Sequence, residues 1–381
     1  MPPESKEPSK APFIEANINW DILFEFLEKE KCILCVGPGI FDSQKEGKLE
    51  TRLASFLKKE EKALGIRVYD DGWFHYLPGA NEIDAWQQVK EFYSQPQPEA
   101  AKILQKLARI PFHHVLNFSP GQQMKEAYTS QNLPVDYQFY YKKEPYPEGI
   151  QKPVKARPLV FNMMGDVDER NSLVLTYDDF YAYLESVFEA KSMSPVLKAN
   201  IFAADYFIFI GLPFEKWYMH LFMRILRQHA EKRKSKKNAA SNQLSDVVES
   251  YCYEQYTITF VQEGITKFVD EFYKKCEEKG LVKNTEAAAK LQLPFDTLRD
   301  LISENEFEKL FAALLEQLKV LGAAGMDFIN MALNLEGQHN ALKQKKTLGL
   351  LRDEEEEVQT NNLRSNMLEM ISELEKAFPP A

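Results

Sequence analysis

Over residues 17–278, short unbroken apolar runs alternate with stretches whose apolar residues recur every third or fourth position. The first stretch, 17–30, carries Ile18, Ile22, Leu23, Phe26 and Leu27 at helical spacing. An apolar run, Cys32–Val36, follows and ends in Gly37-Pro-Gly39, which predicts a strand closed by a glycine turn. Leu49, Leu53, Phe56 and Leu57 share a face of the next helix, and Trp86, Val89, Phe92 and Tyr93 predict another. A strand within 112–118 leads to a helix over 122–128, and a third strand, Leu159–Asn162, precedes a helix over 178–188 that turns Phe180, Leu184 and Val187 inward. Thr176 and Asp179 stand at capping-box spacing before that helix, with Asp in place of the usual Glu or Gln. The strand Tyr206–Ile210 is followed by a helix over 215–228. The last strand, Ile258–Val261, is followed by a helix with the stripe Ile265, Phe268, Val269, Phe272, Tyr273 and Cys276. Continuous apolar strands alternating with amphipathic helices predict a parallel, doubly wound α/β sheet.

From Pro294 onward only the helical period persists. Phe307, Leu310, Phe311, Leu314, Leu315, Leu318 and Leu321 form one face, and Phe328, Met331, Ala332, Leu335, His339 and Leu342 a second. Leu363, Met367, Met370, Ile371, Leu374 and Phe378 form a third. With a shorter helix over 296–303 they predict an all-α bundle over 294–381, joined through a linker at 279–293 to an α/β domain at 17–278. Residues 1–16 are rich in Pro, Ser and Lys and are expected to form a tail. The Tyr-, Pro- and Lys-rich stretch 129–156 has no helical period and predicts an extended surface excursion. The polar stretch 228–246 predicts a solvated loop. The helix from Trp217 is apolar on nearly all sides, so it is expected to be buried against another helix, of this chain or of a second subunit in a homo-oligomer.

The 381 residues carry a net charge of −10, which argues against a dedicated nucleic-acid binder; the one basic run, 232–237, lies in the polar stretch. No apolar run approaches the roughly 20 residues a membrane span needs, and with only four cysteines a cytoplasmic protein is expected. Cys32 and Cys35 form a C-x-x-C. They lie in a strand rather than before a helix, and no second Cys or His pair stands at metal spacing, so they read as buried strand cysteines and no metal is expected.

The segment from Pro158 through Met164-Gly-Asp166 to Ser172-Leu-Val-Leu-Thr-Tyr-Asp-Asp179 resembles the centre of bacterial sirtuin-like domains. There a strand ends in His-Gly-Asp and "Ser-Leu-Val-Leu-Thr-x-Asp-Asp" opens a helix. The resemblance implies a Rossmann-like fold that binds NAD, with the His as catalytic base. Met164 holds that position here, and a thioether takes no proton near neutral pH. Three further blocks carry the resemblance. The family's phosphate-binding Gly-Ala-Gly-x-Ser corresponds to Gly37-Pro-Gly-Ile-Phe41, where Pro38 removes a donor. The family's catalytic Asn aligns with Ser119 when the following helices are matched, and with Asn117 only if the register slides by two. Gly211 keeps the nucleotide-site glycine, while Pro213 and Lys216 replace its polar companions. The resemblance thus places Gly37, Gly39, Ser119, Asn162, Gly165, Asp166 and Gly211 at a site for NAD or ADP-ribose, with both catalytic positions, Ser119 and Met164, changed. Asn117, Asn162 and His114 are the residues that could support a rearranged NAD-hydrolysing site. Asn162 shares a strand face with Met164, and His113 and His114 face opposite sides.

The tail resembles bacterial effector-associated domains, small death-domain-like helical modules. The resemblance rests on Met331-Ala-Leu-Asn-Leu-Glu-Gly-Gln-His-Asn-Ala-Leu-Lys343, on Leu348-Gly-Leu-Leu-Arg-Asp-Glu-Glu355, and on Asn361-Asn-Leu-Arg-Ser-Asn-Met-Leu368, where Asn-x-Leu-Arg begins the last helix. It implies homotypic recruitment of a partner protein carrying a similar domain, in bacterial defence. The two resemblances together imply a degenerate sirtuin-like scaffold or nucleotide sensor, with an NAD-hydrolysing effector as the alternative.

Overall fold

The computed structural model of the protein describes residues 18–43, 45–141, 152–188, 194–230, 235–242, 244–283, 295–320, 326–349 and 353–377. The expected tail, the middle of the surface excursion (142–151), the start of the basic run (232–234) and most of the expected linker (284–293) lie outside them. The chain divides into two compact units, one of residues 1–127 and 136–280, the other of residues 128–135 and 281–381.

The first unit is built on seven parallel strands: β1 (Cys32–Val36), β4 (His114–Asn117), β5 (Asp136–Phe139), β6 (Leu159–Asn162), β7 (Tyr206–Ile210), β8 (Lys236–Ala240) and β9 (Ile258–Val261). A separate antiparallel hairpin holds β2 (Ile66–Val68) and β3 (Phe74–Tyr76). The sheet order is β5-β6-β4-β1-β7-β8-β9. From β1 the chain lays strands to one side, then crosses to β7 and continues on the other, so the switch point falls between β1 and β7. β1, β4, β6 and β7 are buried at every position, as a sheet covered on both faces requires of its central strands; β1 and β7 are unbroken apolar runs, while His114, Asn117 and Asn162 are polar residues buried in β4 and β6. Cys32 and Cys35 are part of that wall.

Eleven helices flank the strands among the described residues: α1 (Trp20–Glu28), α2 (Leu49–Lys58), α3 (Glu61–Leu64), α4 (Glu82–Ser94), α5 (Pro98–Arg109), α6 (Gln123–Thr129), α7 (Tyr177–Phe188), α8 (Pro195–Ala203), α9 (Trp217–Ala230), α10 (Asp246–Tyr256) and α11 (Gly264–Glu278). The capping box before α7 forms in both directions. The Asp179 amide donates to Thr176 Oγ1 at 3.0 Å, and the Thr176 amide donates to Asp179 Oδ2 at 3.1 Å. Thr176→Ala is expected to cost about 1 kcal/mol, measured as a lower urea midpoint at unchanged slope. On α9, Met219, Phe222 and Met223 belong to the core of this unit, while Trp217 at its start is half exposed.

Two expectations are corrected. The surface excursion contains β5, which joins the sheet as an edge strand parallel to β6. The stretch expected to be a solvated loop contains β8. Its sequence, Lys236-Lys-Asn-Ala-Ala240, has neither β-branched nor aromatic residues, and a cross-strand polar ladder compensates. Tyr206 of β7 donates its hydroxyl to Asn238 Oδ1, and Asn238 Nδ2 donates to Thr259 Oγ1 of β9 at 2.6 Å.

The second unit contains α12 (Phe295–Ser303), α13 (Phe307–Val320), α14 (Met326–Thr347) and α15 (Asp353–Ala377). α12 packs on α13 and α15, and α14 packs on the same two, which closes a four-helix ring. Leu310, Phe311, Leu314, Ala332, Met367 and Ile371 meet at its centre. Arg364 of α15 fixes the α12–α13 corner by donating through Nε (2.9 Å) and Nη2 (2.6 Å) to Asn305 Oδ1.

Candidate functional site

The C-terminal ends of β1, β4, β6 and β7 run into glycine-bearing turns, and these turns build the site. After β1, Pro38 opens a short 3-10 turn, where its missing N–H costs nothing. The neighbouring amides are already committed. Gly37 N–H donates to Ile210 C=O at 2.8 Å and Gly39 N–H to Gly211 C=O at 2.9 Å. Ile40 and Asp42 donate back to Gly37 and Gly39, both at 3.3 Å. The two turns interlock at the switch point. A Cβ on Gly37 would lie 2.3 Å from Gly211 O, and one on Gly211 would lie 2.7 Å from Ile40 N at a left-handed φ of +66°. The glycines here serve turn-to-turn packing, and the amides that would receive a phosphate are spent on the protein's own carbonyls.

Beside this lock lies a small polar recess carrying Asp42, Glu50 and Glu215 with Lys48. Lys48 pairs with Glu215 at 2.6 Å, and Lys216 pairs with Glu50 at 2.9 Å. Burial raises the carboxyls of Asp42 and Glu50 above their usual range, against the pull of nearby donors and lysines. Three carboxylates and one ammonium group line the recess, where a pyrophosphate would need the opposite sign.

A larger cavity of about 110 Å³ opens over the ends of β1, β4 and β6. Ser119 and Met164 both line it, so the two changed positions of the sequence comparison come together in space. Ser119 is buried and its hydroxyl is bonded to Tyr93 and to the Gly121 amide (3.4 Å). Most of the rest of the wall is apolar or aromatic. Among the described residues no histidine, lysine or arginine lines it, and its charged side chains are Glu50 and Asp71.

Asn117 and Asn162 are not in that lining. They face each other at the ends of β4 and β6 and are fully engaged in a buried network. Asn117 Nδ2 donates to Asn162 Oδ1 at 2.7 Å and to Ser119 C=O at 2.9 Å. Asn162 Nδ2 donates to Gly121 C=O at 3.1 Å and to the Tyr137 hydroxyl at 2.7 Å. Tyr137 in turn donates to Asp166, whose oxygens also take Gln122 Nε2 (2.9 Å) and the Asp168 amide (2.7 Å). Burial and that hydrogen bond raise the Tyr137 hydroxyl well above its ordinary value. Gly165, at φ +84°, lets the chain turn into Asp166; a Cβ there would lie 2.3 Å from Ser172 O. The network fixes the two turns that carry Ser119 and Met164.

His114 opens β4, three residues before Asn117, so it stands roughly 10 Å back along the strand. It is fully buried, and desolvation followed by the neighbouring His113 lowers its imidazole to about 3; burial lowers His113 to about 4. Neither histidine lines the cavity.

Much of the wall comes from segments that the sequence did not single out as site-forming: Leu49, Glu50 and Leu53 of α2, Asp71–Phe74 of the β2–β3 turn, and Tyr218 and Met219 of α9. The dense aromatic spacing near Trp73, Phe180 and Tyr218 was the available signal; their meeting depends on the hairpin reaching across to α7 and α9.

No curated protein matches the chain. Residues 122–261 match the model of the SIR2-like domain, a span that includes Asn162, Met164, Gly165, Asp166 and Gly211 and leaves out the β1 turn, Asn117 and Ser119. Residues 294–375 match the model of effector-associated domain 11. With the parallel sheet in the first unit and the four-helix ring in the second, the chain carries a SIR2-like domain followed by an effector-associated domain.

Proposed function

We propose that this is a protein of a bacterial conflict or defence system whose SIR2-like domain is a scaffold without NAD-cleaving chemistry, and whose helical domain recruits a partner carrying a like domain. An effector-associated domain implies a protein partner, and its pairing with a SIR2-like domain is consistent with such a system. The observation that carries the non-catalytic reading is the cavity wall itself: Met164 and Ser119 stand where a base and an orienting amide would be needed, with no histidine beside them among the described residues. The two asparagines that could orient a water or a ribose are bonded to carbonyls, to a hydroxyl and to each other. The spent amides of the β1 turn and the acidic recess favour a scaffold over a nucleotide sensor.

Calorimetric titration of the full chain with NAD and with ADP-ribose, together with an overnight NAD-cleavage assay, is expected to give neither heat nor product. Binding without turnover would make the domain a nucleotide sensor, and turnover would overturn the non-catalytic reading.

A further inference from the structure

The cavity has a character of its own. Trp73, Phe180 and Tyr218 make one wall, with ring centroids 5.1 Å apart for Trp73–Phe180, 5.1 Å for Phe180–Tyr218 and 6.3 Å for Trp73–Tyr218. Its charged lining consists of two carboxylates. Glu50 is neutralised by Lys216 at 2.9 Å. Asp71 has no such counter-charge in the lining: its oxygens accept from the Tyr177 hydroxyl and the Trp73 amide (3.3 Å), both neutral donors, which orient the carboxylate without cancelling its charge. A carboxylate beside aromatic rings repels phosphate and attracts a cation. The volume, about 110 Å³, suits a compact head group rather than a dinucleotide.

We propose that this cavity is a binding site for a small organic cation of the quaternary or protonated amine class, held against Trp73 and Tyr218 and balanced by Asp71. The proposal builds on the non-catalytic reading of the domain and adds a ligand to it. The β2–β3 turn supplies both Asp71 and Trp73, so occupancy would hold that hairpin onto α7 and α9.

The test compares choline with its uncharged carbon isostere, 3,3-dimethylbutan-1-ol, on the full chain. The choline methyl resonance should move upfield saturably, as a head group over ring faces must, with at least roughly tenfold tighter binding than the isostere. Asp71→Asn should lose most of that preference while leaving binding of the neutral compound unchanged, and Trp73→Leu should abolish the upfield shift. Equal binding of the two compounds, or no saturable shift with wild-type protein, would overturn the cation site while the scaffold reading stands. ADP-ribose that binds and displaces choline would overturn both.

Discussion

Gly37→Ala and Gly211→Ala should each cost roughly 3 kcal/mol or more and leave the α/β domain unfolded or barely stable. The two substitutions fail for different reasons. Gly37 has ordinary extended backbone (φ −114°), so an alanine there meets a steric cost alone: its Cβ would sit 2.3 Å from the Gly211 carbonyl oxygen and 2.7 Å from its carbon. Gly211 adds a left-handed φ of +66° to close contacts with the backbone of Gly39 and Ile40. The obstructing atoms are backbone in both cases and cannot rotate away. Moving them breaks the Gly37–Ile210 and Gly39–Gly211 hydrogen bonds that join the ends of the two central strands. Thermal and urea unfolding of the variants measures the effect. A domain with a stability of roughly 5–15 kcal/mol can lose most of it to one such change. If instead Gly37→Ala folded normally and lost only a nucleotide affinity, the turn would be a phosphate cradle and not a packing lock.

That outcome bears on how a glycine motif is read. Gly37-Pro-Gly39 after a strand is legible in the sequence as the end of β1, and it resembles a phosphate-binding turn. What the spacing cannot show is where the amides point. That depends on Gly211, 172 residues further on, whose carbonyl takes the Gly39 proton. The same division runs through the fold. β1, β6 and β7 announce themselves because each is a short, largely apolar run buried on both faces, and β9 because its four residues are β-branched or aromatic. β8 does not, because Asn238 is stabilised by Tyr206 and Thr259 from neighbouring strands, and local composition carries no trace of them. β5 is half-buried at each position, so its pattern shows neither continuous apolarity nor clean alternation. The capping box at Thr176 and the stripes of α11 and α13 are local, and they appear where the sequence places them, except that Tyr273 is only half-buried and Leu321 lies outside the described residues. Of the site, Ser119 and Met164 could be paired from family spacing, whereas the roles of Asp71 and Trp73 depend on a hairpin whose strands are three residues each.

Asn162→Leu should destabilise the protein by roughly 3 kcal/mol, and the loss should appear in unfolding. Asn162 is completely buried, and its amide takes a hydrogen from Asn117 and gives hydrogens to Gly121 C=O and Tyr137. Leucine fills similar space and satisfies none of these groups. The Asn117 amide keeps its bond to Ser119 C=O (2.9 Å) and a long one to Gly121 C=O (3.5 Å), while Gly121 C=O is left with that long contact. Tyr137 keeps its donation to Asp166, so the damage concentrates at the 119–121 turn. The physical claim is that the pair is a unit, and a double-mutant cycle reads it. Asn117→Leu alone should cost a similar amount, because it leaves Asn162 Oδ1 and Ser119 C=O without their donor. The double variant should cost less than the sum, since the Asn117–Asn162 bond is lost in each single variant but only once in the double, which also leaves no Asn162 Oδ1 to be orphaned. Additive losses would mean that the two asparagines act separately. A variant of wild-type stability would free Asn162 from its structural role and leave it available for chemistry.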